Sequence, residues 1–296
     1  MDQDTFRVHD TTLLLKDDDG VHETMDLQMD PSERYRLQRK LNRGAFGEVW
    51  AALDNKNKKQ VAVKLIPSKF GPAVKWEVDL LKGAQGECTQ NHVLCYIDTY
   101  PVRKWNKNYI GVVTELVKGQ ALSDIPHDKI TPKRLAKWTV QLFRALRYLH
   151  SLGIVHRDVK PDNIMIQPDD SLVLVDLGIG CSTRVPTACA RRYTQVEGTP
   201  LFMWPPILEA QKTAARTGTP VEIGVLALKV ADYYSAAITM AIMALRPMIN
   251  IDEKTVAQDL NTAITKMPYI VASLPKLDNF LRTIIDKPEM GFEVVD

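Results

Sequence analysis

The feature that most constrains this chain is an eight-residue string, His156-Arg157-Asp158-Val159-Lys160-Pro161-Asp162-Asn163, followed eighteen residues after Asp158 by Asp176-Leu177-Gly178. It comes just after a segment ending Tyr148-Leu149-His150 and a turn at Gly153. Any fold must hold two carboxylates, a lysine and an amide in loops beside a sheet and a helix. Such a set suits metal-assisted transfer to a hydroxyl, in which a carboxylate takes or orients the proton and oxygen ligands hold a hard cation. Oxygen donors of this kind need neither His nor Cys, so a zinc site is disfavoured.

The hydrophobic pattern divides the chain in two. From Tyr35 the segments 35–41, 48–53 and 60–66 read as strands, with Asp54-Asn55-Lys56-Asn57 as the turn between the last two, which predicts an antiparallel meander. Pro72 opens a helix whose Val74, Val78 and Leu81 recur at helical spacing and which ends near Gly83. Residues 109–117 form a further strand, closed by a turn at Gly119. Beyond residue 120 helices dominate: after Thr131-Pro132, the residues Leu135, Trp138, Leu142, Leu146 and Leu149 trace one apolar face. The expected organisation is an acidic extension over 1–33, a first lobe over 34–117 and a second over 118–296, with the linker near 115–121.

The extension carries ten acidic residues, from Asp2 to Glu33, against Arg7 and Lys16, and reads as a solvated tail or a regulatory arm docking on the basic body. Over the whole chain, 38 Lys plus Arg against 36 Asp plus Glu leave a net charge of +2, with no general attraction to nucleic acid or anionic lipid. Cys88, Cys95, Cys181 and Cys189 show no Cys-x-x-Cys spacing, which predicts free thiols in a reducing compartment. The acidic opening shows no secretory signal, so cytoplasm is the default location, with a plastid or other compartment open if a targeting segment was removed. The apolar stretch 233–245 is shorter than the roughly 20 residues that span a bilayer and reads as a buried core helix, so no transmembrane segment is expected.

Taken in order, these motifs resemble the eukaryotic-type protein kinase superfamily over residues 35–245. The resemblance implies an α+β, two-lobed kinase fold: a small antiparallel sheet with one helix, then a mainly helical lobe with a shortened C-terminal end, and ATP in the cleft. Asn42-Arg43-Gly44-Ala45-Phe46-Gly47-Glu48-Val49 is similar to the glycine-rich loop, with Gly44 and Gly47 at the phosphates, although the family's first glycine is Asn42 here. Val61-Ala62-Val63-Lys64 resembles the strand whose lysine holds the α- and β-phosphates, with Glu77 as its ion-pair partner, whereas Asp79 should point away. Val49, Ala62 and Thr114 would line the nucleotide site, and Glu115, Leu116 and Val117 would form the hinge. Asp158 would orient the attacking hydroxyl, Lys160 would neutralise charge on the γ-phosphoryl group, and Asn163 and Asp176 would hold Mg2+.

The segment 176–206 corresponds to the activation segment, with Ser182, Thr183, Thr187, Tyr193 and Thr194 near Arg184, Arg191 and Arg192. Phosphate there, from an upstream kinase or from autophosphorylation within 182–194, would pair with Arg157. Lys160 with Gly198-Thr199-Pro200 is more similar to Ser/Thr than to Tyr kinases. The resemblance thus implies a serine/threonine kinase using Mg-ATP on a protein substrate, with no nucleic-acid partner. Three departures point to a pseudokinase scaffold as the alternative: Asn42, Leu177 where Phe is usual, and Trp204-Pro205-Pro206 where Ala-Pro-Glu is usual. A kinase acting on a small alcohol shares the Asp and Asn chemistry, but Lys160 and Gly198-Thr199-Pro200 argue against it. Asp232 resembles the Asp that opens the central helix and steadies the catalytic loop.

Overall fold

The computed structural model describes residues 12–16, 22–26, 34–44, 47–104, 106–184, 192–193, 196–219 and 221–245. They belong to two compact units: residues up to Lys69 with Asp98–Leu116, and Phe70–Ile97 with the residues from Val117 onward. The expected shortened C-terminal end lies outside the described residues.

In the first unit, β1 (Thr12–Lys16) and β2 (His22–Asp26) pair antiparallel, with Thr12 opposite Asp26. Part of the acidic extension therefore forms an antiparallel pair of strands. The main sheet has five strands, β3 (Tyr35–Gly44), β4 (Gly47–Asp54), β5 (Lys59–Pro67), β6 (Tyr96–Lys104) and β7 (Lys107–Glu115), in the order β3-β4-β5-β7-β6. Alternation gives it one apolar face, on which Tyr35, Leu37, Trp50, Ala52, Val61, Val63, Leu65 and Val113 form a buried cluster. The β4–β5 turn falls where the sequence placed it: the Asp54 carboxylate accepts from the Lys56 N–H at 2.9 Å and from the Asn57 side chain at 2.8 Å. Strand β6 was not foreseen, because Pro101 interrupts its alternation. An edge strand tolerates a proline, and β6 lies at the edge.

The second unit contains α1 (Gly71–Gly83), β8 (Gln120–Ala121), α2 (Pro132–Ser151), β9 (Ile154–Val155), β10 (Ile164–Ile166), β11 (Leu172–Leu174), β12 (Cys181–Ser182), β13 (Arg192–Tyr193), α3 (Pro205–Thr217), β14 (Val221–Glu222) and α4 (Val225–Leu245). The small sheets are β11-β10-β8, β12-β9 and β13-β14. The Thr131 hydroxyl caps α2 by accepting from the Arg134 N–H at 3.3 Å, and Trp138, Leu142, Leu146 and Leu149 are buried along its length.

Helix α4 is longer than the apolar run in the sequence suggested, because Val225–Leu245 is helical throughout. Its stretch Val225–Ala244 is long and apolar enough to cross a membrane by length and composition alone. Inside the unit it packs on α2, with Tyr233 stacked on Phe143 at 5.6 Å and edge-on to His150 at 4.9 Å. It also carries Asp232, which is 1% exposed.

The expectation of free thiols is corrected. Cys88 and Cys95 form a disulfide, and Cys181 is disulfide-bonded as well. The connection after α1 turns back on itself, the Val93 N–H bonding the Cys88 carbonyl at 2.9 Å, and this brings the two Cα atoms to 5.5 Å. That is a distance a disulfide spans, so no Cys-x-x-Cys spacing is needed.

Candidate active site

Strand β9 delivers the chain into the loop 156–163. His156 is fully buried, and it accepts at Nδ1 from the Asp158 N–H (3.3 Å) while Nε2–H donates to the Val175 carbonyl (3.0 Å). That pairing requires the tautomer with its proton on Nε2. Arg157 has φ 72°, a left-handed conformation a non-glycine residue adopts only when its surroundings impose it. The imposing group is Asp232, whose carboxylate accepts from the His156 N–H (2.8 Å), the Arg157 N–H (2.7 Å) and His150 Nε2 (2.8 Å). Burial by itself would raise the Asp232 pKa, but the hydrogen bond from His150 and the Arg157 N–H together hold it below the usual carboxylate range.

With the backbone fixed, the side chains converge. Thr199 Oγ1 donates to Asp158 Oδ1 at 2.7 Å and accepts from Lys160 Nζ at 2.8 Å, and the lysine lies 2.7 Å from Asp158 Oδ2. The Asn163 amide donates to the Asp158 carbonyl at 2.8 Å and to Asp158 Oδ2 at 3.0 Å. The Val175 N–H bonds the Asn163 carbonyl at 2.9 Å, which links this loop to Asp176. Asp176 also adopts a left-handed conformation, φ 67°, and accepts from the Gly178 N–H at 3.2 Å. The second unit thus brings Asp158, Lys160 and Asn163 into one network, with Asp176 one residue beyond the Val175 link.

Both amide hydrogens of Asn163 are used on Asp158, which leaves its carbonyl oxygen as the group that can face a cation. Together with the Asp176 carboxylate it offers hard oxygen ligands, which suit Mg2+. Among the described residues no cluster of three or more His, Cys, Asp or Glu is suited to a metal. A cation whose remaining positions are filled by phosphate and water needs none, so the residues present fit magnesium.

In the first unit the predicted nucleotide residues share one sheet face. Val49 lies opposite Lys64, and Lys64 opposite Val112; Ala51 lies opposite Ala62, and Ala62 opposite Thr114. This is the face away from the apolar cluster, so Val49, Ala62, Lys64 and Thr114 lie together by register alone. Gly44 pairs with Gly47 across the tip of β3 and β4, and a Cβ on Gly47 would run into the Leu65 carbonyl, so that position admits only glycine. Ala45 and Phe46 lie outside the described residues.

The first unit ends at Leu116 and the second begins at Val117. Glu115 and Val117, the expected hinge residues, are both half-buried. In the second unit Glu77 is 6% exposed beside the buried Val74 and Val78, while Asp79 is exposed. Sequence reasoning missed Trp76, whose indole N–H donates to the Gly180 carbonyl at 2.8 Å and ties α1 to the segment after Asp176. Leu177, where Phe is usual, is buried at 3% exposure and so keeps an apolar role.

The Arg157 guanidinium pairs with Glu197 at 3.1 Å and donates to the Ile179 carbonyl at 2.9 Å. Where Ala-Pro-Glu is usual, Pro205 and Pro206 open α3, and Gln211 on that helix, 1% exposed, accepts from the Glu197 N–H at 2.9 Å. Ser235 on α4 adds a bond to the Phe202 carbonyl at 2.6 Å. Neither Glu197 nor Gln211 stands out in a motif; the one signal was that Glu197 directly precedes Gly198-Thr199-Pro200. Thr187, Arg191 and Thr194 lie outside the described residues.

The family description "Protein kinase domain" matches residues 35–286. The chain is 28% identical over 209 residues to the serine/threonine-protein kinase pakC of Dictyostelium discoideum, covering 69% of this chain and 42% of that protein. It is 30% identical over 187 residues to the serine/threonine-protein kinase STE20 of Eremothecium gossypii, covering 62% and 18%. It is 30% identical over 183 residues to the serine/threonine-protein kinase PknA of Mycobacterium tuberculosis, covering 59% and 41%. The chain therefore spans less than half the length of these relatives. A match that runs across both units and takes in the Asp158 network and the Lys64 sheet face leads to one conclusion: the chain belongs to the protein kinase family.

Proposed function

We propose that this chain is an active serine/threonine protein kinase that transfers the γ-phosphoryl group of Mg-ATP to a hydroxyl of a protein substrate. The observation that carries the reading is the Asp158 carboxylate held between Thr199, Lys160 and Asn163 at 2.7–3.0 Å. Asp158 would accept or orient the proton of the attacking hydroxyl. Lys160 would meet charge growing on the transferred group, and Thr199 holds both in register. Lys64, on the Val49, Ala62 and Thr114 face, would bind the α- and β-phosphates, with Gly44 and Gly47 letting backbone approach them. Bound through Asn163 and Asp176, magnesium would supply charge neutralisation at the phosphates.

The relatives' names, all serine/threonine-protein kinases, support this reading. The test is transfer of labelled γ-phosphate from Mg-ATP to the chain itself and to a generic Ser/Thr substrate, with Asp158→Asn alongside. Transfer that disappears in the variant supports the reading. Mg-ATP binding without any transfer would favour a nucleotide-binding scaffold instead.

A further inference from the structure

The Arg157 side chain is 4% exposed, so its charge must be met from within the second unit. One guanidinium nitrogen donates to the Ile179 carbonyl, three residues after Asp176, and another pairs with Glu197. A single side chain therefore holds both ends of the segment 176–199. Glu197 is itself held, through its N–H, by the buried Gln211 of α3. Two residues further on, Thr199 bridges Asp158 and Lys160. The chain of contacts from Glu197 to the proposed reacting carboxylate is thus short and continuous.

Kinase activation segments are commonly ordered by phosphorylation, the phosphate supplying the anion that an arginine requires. Resting on the kinase reading above, we propose that Glu197 is a positioning residue that supplies this anion as part of the chain. The Asp158–Lys160–Thr199 arrangement is then reached with no phosphate on any hydroxyl of 182–194. A carboxylate built into the chain, set against a buried guanidinium, is a permanent tie, whereas a phosphate would be a removable one.

The test uses the full chain in two arms. In the first, the protein is treated with a broad-specificity phosphatase, residues 182–194 are shown by mass spectrometry to be unmodified, and transfer is measured. Turnover within about twofold of the untreated protein is expected; a loss of tenfold or more overturns the proposal. In the second, Glu197→Gln keeps the shape but not the charge. It should lower kcat by about ten- to a hundredfold with KM for ATP within twofold, and Glu197→Asp should recover part of the loss. An unchanged kcat in Glu197→Gln overturns the proposal.

A third readout separates this idea from the kinase reading, because it needs no turnover. Hydrogen exchange at backbone amides of 157–160 and 198–203 should be faster in Glu197→Gln than in the parent. If the parent transfers no phosphate at all, the kinase reading fails while faster exchange still supports the tie; unchanged exchange overturns the tie whatever the activity.

Discussion

The sheet face of the first unit and the loop 156–163 of the second hold polar groups in place by different means. On the sheet, Lys64 is aimed by alternation and register: its neighbours Val61, Val63 and Leu65 are pinned in the apolar cluster, so Lys64 must point the other way. In the loop no apolar periodicity operates. Position comes from a left-handed Arg157, a fully buried His156 and a buried Asp232 that gathers three hydrogen bonds. Sheet positions should lose function one side chain at a time, whereas loop positions share partners and should fail together.

The largest effect expected is on Asp158. Asp158→Asn should lower turnover by roughly a thousandfold, within the range for loss of a general base, while ATP affinity stays within about twofold. Steady-state transfer together with nucleotide-binding calorimetry checks both halves. Near-normal turnover would remove Asp158 from its assigned role. On the sheet, Lys64→Met should lower transfer by about a hundredfold with little loss of stability, because the sheet is pinned from its other face. A large drop in melting temperature would show that the lysine also holds the fold.

Asp232 is where the loop should prove brittle. Asp232→Asn keeps the volume but replaces a carboxylate serving three nitrogen atoms with a weaker acceptor, and about 3 kcal/mol of stability should be lost. The pH dependence has a definite sign. Its pKa is held below the ordinary carboxylate value, so it contributes stability in full above that value and loses it as pH falls through the lower folded value. Urea unfolding between about pH 3 and pH 6 should therefore show a flatter acid limb in the variant than in the parent. An acid limb of equal steepness would assign the proton uptake to other groups.

The same contrast explains what could be read in the sequence. Strands β3, β4, β5 and β7 and helices α1 and α2 were legible because burial follows their periodicity, as Trp138, Leu142, Leu146 and Leu149 show. Asp158, Lys160, Asn163 and Asp176 were legible through a dense motif. Glu197 and Gln211 were not, since an ion pair or hydrogen bond between positions far apart in sequence leaves no local pattern. The disulfide between Cys88 and Cys95 was hidden for a related reason: it depends on how the connection after α1 turns back, which spacing alone does not specify.

That disulfide gives a milder test within the second unit. It closes a short loop that is tied to β11 by its own backbone bonds, Leu94 N–H to the Leu174 carbonyl at 3.0 Å and Leu174 N–H to the His92 carbonyl at 2.8 Å, so Cys88→Ser with Cys95→Ser should lower stability by roughly 2–3 kcal/mol, the loop-closure value for a cross-link of this span. Turnover of the protein that remains folded should be unchanged. A fall in turnover at a temperature well below the melting point would mean that the connection after α1 helps to set the loop 156–163, and the two would not be separable.

The smallest effect should come from Val49 on the sheet. It is half-buried, directly opposite Lys64, and belongs to the face that carries Ala62 and Thr114. Val49→Ala removes two methyl groups from a partly covered strand position, which should cost about 1 kcal/mol in stability, less than for a fully buried site. If this face carries the adenine, KM for ATP should rise a fewfold while kcat holds, because apolar contact of this kind binds ground state and transition state alike. A change in kcat with KM unaltered would mean that Val49 acts on the aim of Lys64, and that the sheet, like the loop, couples its side chains. The distinction between a face that fails piecemeal and a loop that fails as a unit rests on that split between kcat and KM.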